Sequence, residues 1–185
     1  MNDYKININY AKALFLIAAD QQVLPQAFAD MQLVNEVCRE NHVLCTVFAN
    51  PTVPEAKKVA ILNDLFQERL SKVSLAFLAF VVRKRRAVNL AGISNAFLQL
   101  YRDENNIVLS SLTTHAPVDQ EARDAVARLI ADYTGKQVEL EAKTDPNMLG
   151  GFAMSFNNNM YDARIRTKIA KLRAEFSKNT YESKL

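Results

Sequence analysis

The chain has 185 residues, of which 49% are hydrophobic, and its formal net charge is +3. This length suffices for one ordinary domain or two small ones with modest cores, and the weak net charge argues against a basic nucleic-acid-binding arm. Two cysteines, no signal-peptide pattern and no apolar run near the ~20 residues needed to cross a bilayer predict a soluble protein of a reducing compartment.

The first part of the chain, residues 1–105, follows a helical apolar period. The first predicted helix carries Tyr10, Leu14 and Ile17 on one face, and a second follows Pro25. Later helices are predicted from Glu55, around the apolar run 75–82, and over 89–102. The helix from Glu55 is the fourth predicted helix and that over 89–102 the sixth, so we expect a six-helix bundle.

Residues 106–185 change to an alternating period. The pattern predicts a strand over 107–114, a helix over 119–133 with a C-cap at Gly135, strands over 137–142 and 152–156, and a closing helix. The closing helix carries one apolar face: Ile165, Ile169, Leu172 and Phe176. The expected order is strand, helix, strand, strand, helix, so the whole chain is predicted to be α+β, with a small α/β domain at its end.

The segment before the third predicted strand contains two of the four glycines, Gly150 and Gly151. Because glycine tolerates positive φ and lets backbones approach closely, this pair predicts a sterically exacting turn. The surrounding motif comprises Asp145, Pro146, Gly150, Gly151 and, after the strand and a polar turn, Asp162.

Catalytic chemistry finds little support in the sequence. Cys38, His42 and Cys45 lack the fourth ligand of a structural zinc site, and we interpret the cysteines as small buried side chains. There is no glycine-rich phosphate loop and no nucleophile elbow. We therefore expect no catalytic, cofactor-binding or metal-binding residues.

Two predicted helices carry more apolar surface than one core stripe requires. Leu75–Val82 is apolar over eight consecutive residues, so it should be buried on all sides, and Leu14–Ala19 is similarly broad. Burial within the bundle is one explanation. The other is a groove that receives an amphipathic helix from another protein.

Basic residues also leave two interpretations open. Arg83–Arg86 could contact nucleic acid, or could complement the negative end of the preceding helix. The first two turns of the closing helix contain three cations, Arg164, Arg166 and Lys168, whose charge opposes the helix dipole. Either Glu139 and Glu141 or an acidic partner would offset this unfavourable interaction.

Several motifs, taken in order, resemble the delta subunit of bacterial F-type ATP synthase, the counterpart of mitochondrial OSCP. They are Tyr10–Phe15, Asn50–Pro51, Lys84–Arg86, Thr113–Val118 and Asp145–Gly151 ahead of Asp162. The resemblance spans nearly the full length. It implies a non-catalytic stator subunit without cofactors that links the catalytic head to the peripheral stalk and resists rotor torque.

In that family a six-helix N-terminal bundle holds the N-terminal helix of an alpha subunit in a groove between helices one and five. The small α/β domain engages the b subunit. By this resemblance, residues 1–105 bind the head and residues 106–185 face the stalk. If an acidic partner compensates Arg164, Arg166 and Lys168, these residues are the candidate stalk contacts. The implied location is peripheral, on the cytoplasmic face of the bacterial membrane, with one copy per complex.

We expect eight residues to form or support the groove, and an Asp at Leu14 or Phe77 to release the alpha subunit. The eight are Tyr10, Ala11, Leu14, Phe15, Ala18, Phe77, Phe80 and Val81. The alternative function is a generic helical adaptor or a nucleic-acid-binding accessory protein, which would show steep salt dependence.

Overall fold

A computed structural model of the chain describes residues 3–156 and 159–177. The chain folds as two compact units, Met1–Glu104 and Asn105–Leu185. Its α+β class, with a helical N-terminal part and a small sheet domain, confirms the prediction at that level.

The first unit is helical. Its helices are α1 (Asp3–Asp20), α2 (Leu24–Glu40), α3 (His42–Ala49), α4 (Glu55–Phe66), α5 (Lys72–Arg83) and α6 (Leu90–Glu104), with a 3-10 helix at Ala87–Asn89. Helix α6 packs against both α1 and α2, and α4 packs against α5. The core takes one stripe from each long helix, including Leu14, Met31, Leu62, Val81 and Phe97.

The expected count of six helices is not matched. The 3-10 helix adds a seventh helical segment before the first strand, and the described residues contain eight α-helices in all. The 3-10 helix comes after Arg85, a non-glycine residue whose φ of 60° interrupts the helical backbone after α5. This interruption separates α5 from α6, so the two helices run as distinct elements.

The second unit contains a four-stranded sheet. Its elements are β1 (Ile107–Thr114), α7 (Gln120–Thr134), β2 (Gln137–Thr144), β3 (Phe152–Phe156), β4 (Asn159–Asp162) and α8 (Ile165–Ser177). The strand order is β2-β1-β3-β4, with β1 and β2 parallel and the other two pairings antiparallel. The prediction of three strands was wrong, because the polar segment expected to be a turn ends in the short edge strand β4.

Alternation along β1 decides which face of the sheet is covered. Val108, Ser110 and Leu112 point to one face and are buried, and their partners across β2 are Val138, Leu140 and Ala142. Helix α7 packs against β2. It begins after Asp119, which caps it by accepting a hydrogen bond from the Ala122 N–H, and ends at Gly135 in the left-handed conformation at φ 67°. The predicted C-cap is confirmed.

The glycine pair forms a turn that brings β3 against the start of α8. Gly150 and Gly151 have φ of 131° and 83°, which confirms the expectation of positive φ. A Cβ atom at Gly151 would collide with the carbonyl oxygen of Ala163. The Ala163 N–H donates to the Phe152 carbonyl at 2.9 Å, so the backbones are held at this short separation.

Asp162 fixes the beginning of α8. Its carboxylate accepts hydrogen bonds from the backbone N–H of Arg164 at 3.0 Å, the Arg164 guanidinium at 2.6 and 2.9 Å, and the Thr167 hydroxyl at 2.9 Å. These bonds, those from the Arg164 side chain first, hold the pKa of Asp162 well below its usual range. The carboxylate is therefore ionised whenever the unit is folded near neutral pH.

We expect Gly151→Ala to destabilise the second unit more than Gly135→Ala does. Both positions have positive φ, but nothing lies within 4 Å of a Cβ at Gly135, whereas Gly151 faces backbone. At Gly135, backbone strain alone should lower the free energy of unfolding by about 1 kcal/mol. At Gly151, the collision adds to the strain, and the free energy of unfolding should fall by about 3 kcal/mol or more. Urea unfolding followed by the amide NMR signals of β1 and β3 measures both, and equal losses would contradict the tight approach.

The Asp162 interactions predict an acid-sensitive contribution to stability. Because its folded pKa is lowered, the contribution is complete above the ordinary aspartate pKa of about 4 and is lost as pH falls through the folded value. We expect wild type to be more stable than Asp162→Asn at pH 7, and the difference to shrink below pH 4. A difference independent of pH between 7 and 2 would show that the charge of Asp162 contributes nothing.

Candidate partner-binding surfaces

A surface groove of about 520 Å³ lies between α1 and α5 of the helical unit. Ala13 and Ile17 of α1 and Gln21, which follows its last residue, line one side. Helix α5 contributes the opposite wall: Lys72, Val73, Ala76, Phe77 and Phe80. Most of these side chains are apolar, and the groove is open to solvent.

Two adjacent stripes on α1 explain one wall of the groove. Ala11, Leu14 and Ala18 are buried in the core. The second stripe, Ala13, Ile17 and Gln21, repeats every four residues and lies beside the first. Ile17 keeps 43% of its surface exposed although it is a large apolar residue. The breadth of the apolar face on this helix is therefore shared between the core and the groove.

Helix α5 is divided in the same way. Leu78, Val81 and Val82 are buried in the core, whereas Phe80 is 47% exposed and Ala76 is exposed. The bundle therefore does not bury the run 75–82 on all sides, because it supplies helices on only part of the circumference of α5; of the two explanations, burial wholly within the bundle is wrong. The uncovered part, with Val73, Ala76 and Phe80 spaced as one helical face, forms the second wall.

The eight residues expected at the groove fall into two groups. Phe77 and Phe80 line it, and the Tyr10 ring lies 6.4 Å from that of Phe80. The other five support it from behind: Ala11, Leu14, Ala18 and Val81 are in the core, and the Phe15 ring packs 6.2 Å from that of Phe97.

Leu14 has no exposed surface, so an Asp there would disrupt the core and could not report on binding alone. The expected effect of that substitution is corrected accordingly. The lining residues that the sequence analysis missed, Ala13, Ile17, Gln21, Lys72, Val73 and Ala76, share a helical spacing beside each core stripe. That spacing is the signal that could have found them.

A buried carboxylate fixes the start of α5 and therefore the position of the second wall. Asp30 of α2 is 6% exposed, and its Oδ2 accepts hydrogen bonds from the Ser71 hydroxyl at 2.6 Å and the Ser71 N–H at 3.1 Å. The Ser71 hydroxyl in turn accepts from the Ser74 N–H at 3.3 Å as the N-cap of α5. The first turn of α5 is thus tied to α2.

The basic run after α5 is largely explained within the bundle. Arg83 ends α5, where a cation complements the helix dipole. Lys84 Nζ lies 5.5 Å above the centre of the Phe80 ring, and Arg85 Nε donates to Glu55 Oε1 at 2.7 Å. These contacts favour the structural interpretation of the run over a nucleic-acid-binding one.

The second unit presents an apolar helix face. None of the described residues of α8 is buried: Ile165, Ile169 and Leu172 are 42 to 51% exposed, and Phe176 is 87% exposed. Arg166 and Lys168 are also exposed, on the two flanks of this face.

Arg164 pairs with Asp162. The Asp162 carboxylate raises the pKa of the Arg164 guanidinium and is its main compensating charge. Glu141 forms a salt bridge with Lys143 at 2.8 Å.

Cys38 is buried as expected, whereas Cys45 is only partly buried against the core. Cys45 Sγ donates a hydrogen bond to the Cys38 carbonyl at 3.1 Å, and burial, with a smaller effect of Cys45, raises the pKa of Cys38 to about 11. Both are free thiols. The side chain of His42 lies outside the described residues. In the part of the chain that the structure describes, no three His, Cys, Asp or Glu residues group as metal ligands.

None of the helices described here combines the length and the apolar character needed to span a bilayer.

Comparisons with known proteins agree across the chain. Residues 6–176 match the sequence profile of the family described as ATP synthase delta (OSCP) subunit. The ATP synthase subunit delta of Cytophaga hutchinsonii is 31% identical over 96% of this chain and 97% of its own. That of Chlorobium luteolum is 30% identical over 91% and 93%.

The fold is also found in a solved structure. A chain of the Toxoplasma gondii mitochondrial ATP synthase hexamer, determined by cryo-EM, superposes with a TM-score of 0.69 at 20% identity. The match covers 92% of this chain and 96% of that one. The profile match and the two bacterial relatives carry the assignment, and the superposition supports the fold. The chain belongs to the family of ATP synthase delta (OSCP) subunits, which are structural stator subunits of the peripheral stalk rather than catalytic ones.

Proposed function

We propose that this subunit, in one copy per complex, joins the two ends of the stator through two separate surfaces. The groove between α1 and α5 binds the N-terminal helix of an ATP synthase alpha subunit. The second unit binds the b subunit of the peripheral stalk through α8. The complex that it serves lies at the cytoplasmic face of a bacterial membrane.

The groove is the observation that carries the proposal. Its lining side chains are mostly apolar, and Ile17 and Phe80 remain about half exposed. An exposed apolar groove between two helices fits the apolar face of a third, with contacts spaced at i, i+3, i+4 and i+7. Because the walls are fixed by the core and by the Asp30–Ser71 contact, the groove is preformed and little ordering free energy opposes binding.

The exposed face of α8 supports the second contact. Its four apolar side chains form one stripe, and cations flank the stripe on both sides: Arg166, Lys168, Lys171 and Arg173. A partner helix with an apolar stripe and acidic flanks would bury the apolar stripe of α8 and compensate the charges of its flanking cations. The b-subunit stalk is the proposed source of that helix.

Such surfaces suit a subunit that transmits force. A stator must hold its partners while the rotor turns, so slow dissociation matters more than a reactive group. Burial of apolar surface contributes about 25 cal/mol per Å² to the free energy of binding, and the cost of association is subtracted from this gain.

We expect Ile17→Asp to weaken binding of the alpha-subunit segment by about tenfold to a hundredfold. The bound helix would have to desolvate the new charge and would lose its apolar contact with Ile17, two effects that together amount to about 1.5–3 kcal/mol. The measurement is calorimetric titration of the full chain with a peptide of the first ~20 residues of the alpha subunit from the same organism.

Leu16→Asp is the matched control, because Leu16 is adjacent in sequence, 68% exposed and outside the groove lining. It should bind the peptide like wild type. Equal loss of affinity in both variants would mean that the peptide does not occupy the groove, and binding unchanged by Ile17→Asp would refute the assignment.

For the second surface, we expect Leu172→Asp to weaken binding of a soluble segment from the C-terminal end of the b subunit at least tenfold. The substitution places a charge in the centre of the apolar stripe of α8, where the partner would have to desolvate it. Analytical ultracentrifugation or titration with the b segment measures the loss.

Ala174→Asp introduces the same charge on the opposite side of α8 and should leave b binding intact. Alpha-peptide binding should survive both α8 substitutions. If Ala174→Asp and Leu172→Asp weaken b binding equally, α8 does not present its apolar stripe to the stalk.

A further inference from the structure

The charges around the groove are one-sided. Among the described residues that line it, Lys72 carries a positive charge and none carries a negative one. Lys84 stands at the other end, with Nζ 5.5 Å above the ring of the lining residue Phe80. Asp20, the last residue of α1, precedes the lining residue Gln21 but does not itself line the groove.

The position of Lys72 is not explained by the stability of its own helix. It occupies the first turn of α5, which contains no acidic residue, so its charge opposes the helix dipole. In the described part of the chain, neither Lys72 nor Lys84 takes part in an ion pair. Lys84 follows the C-terminus of α5, where a cation is favourable, and is further held on Phe80. Lys72 is therefore the more informative of the two.

Because Ser71 is tied to Asp30, the backbone that carries Lys72 is fixed relative to the groove. Lys72 and Lys84 are twelve positions apart, which corresponds to about 18 Å along a helix axis, or somewhat more than three turns. An apolar floor with a cation at each end defines an occupant of definite length and charge.

We propose that the groove takes an amphipathic helix with a carboxylate at each end of its apolar face, one meeting Lys72 and the other Lys84. This specificity rests on the proposed binding of a partner helix in the groove. The two lysines select the register of that helix, since a shift by one turn would carry at least one carboxylate away from its lysine.

The test uses the full chain and the alpha-subunit segment described above. We expect Lys72→Glu with Lys84→Glu to weaken binding by about tenfold at low salt, since each exposed pair is worth up to about fivefold and reversal adds repulsion. The loss of affinity should be smaller at about 500 mM salt, because screening weakens the interaction between the charges. Lys57→Glu with Lys136→Glu, two exposed lysines outside the groove lining, matches the change in net charge and should bind like wild type.

A charge swap sharpens the result. A segment with lysine at the two positions where the proposal places carboxylates should bind wild type more weakly than the native segment, and should regain affinity for the Lys72→Glu, Lys84→Glu variant. Unchanged affinity of that variant for the native segment at low salt would overturn the charge specificity while leaving the groove assignment in place. If the segment binds neither wild type nor any variant, the proposed function and this inference both fail.

Discussion

Helices α1 and α5 each carry two adjacent apolar stripes, and the bundle core covers one stripe of each. Leu14 and Val81 are fully buried, whereas Ile17 and Phe80 on the same helices remain about half exposed. A small bundle has too few helices to surround every member, so a helix that is apolar around much of its circumference keeps an open side. The groove is the space between two such open sides.

The same constraint explains why the sequence predicted helices α1 and α5 but not which of their apolar stripes is exposed. Helix and strand positions follow from local periodicity, and β1 and β3 were delimited correctly from the sequence. Which apolar stripe faces the core depends on the packing of α6 against α1, a contact between residues far apart in sequence. Leu14 and Ile17 are therefore indistinguishable by composition and separate only in three dimensions.

The missed strand has a different cause. β4 is four residues long and pairs only with β3, so its alternation is too short to be recognised. Asp162, expected only as part of a motif, proves to connect the end of β4 with the first turn of α8. The glycine pair was recognisable because only glycine adopts such φ values freely, but its neighbour Ala163 was not. The sequence thus predicts the conformation of the glycine pair but not which backbone segment lies against it.

The two open surfaces also distinguish the free subunit from the assembled one. The helical unit exposes Ile17 and Phe80, and the second unit exposes Leu172 and Phe176. Each surface favours self-association as long as nothing covers it. Assembly with partners therefore removes apolar surface of both units from water, and the free chain is the form in which that surface remains exposed.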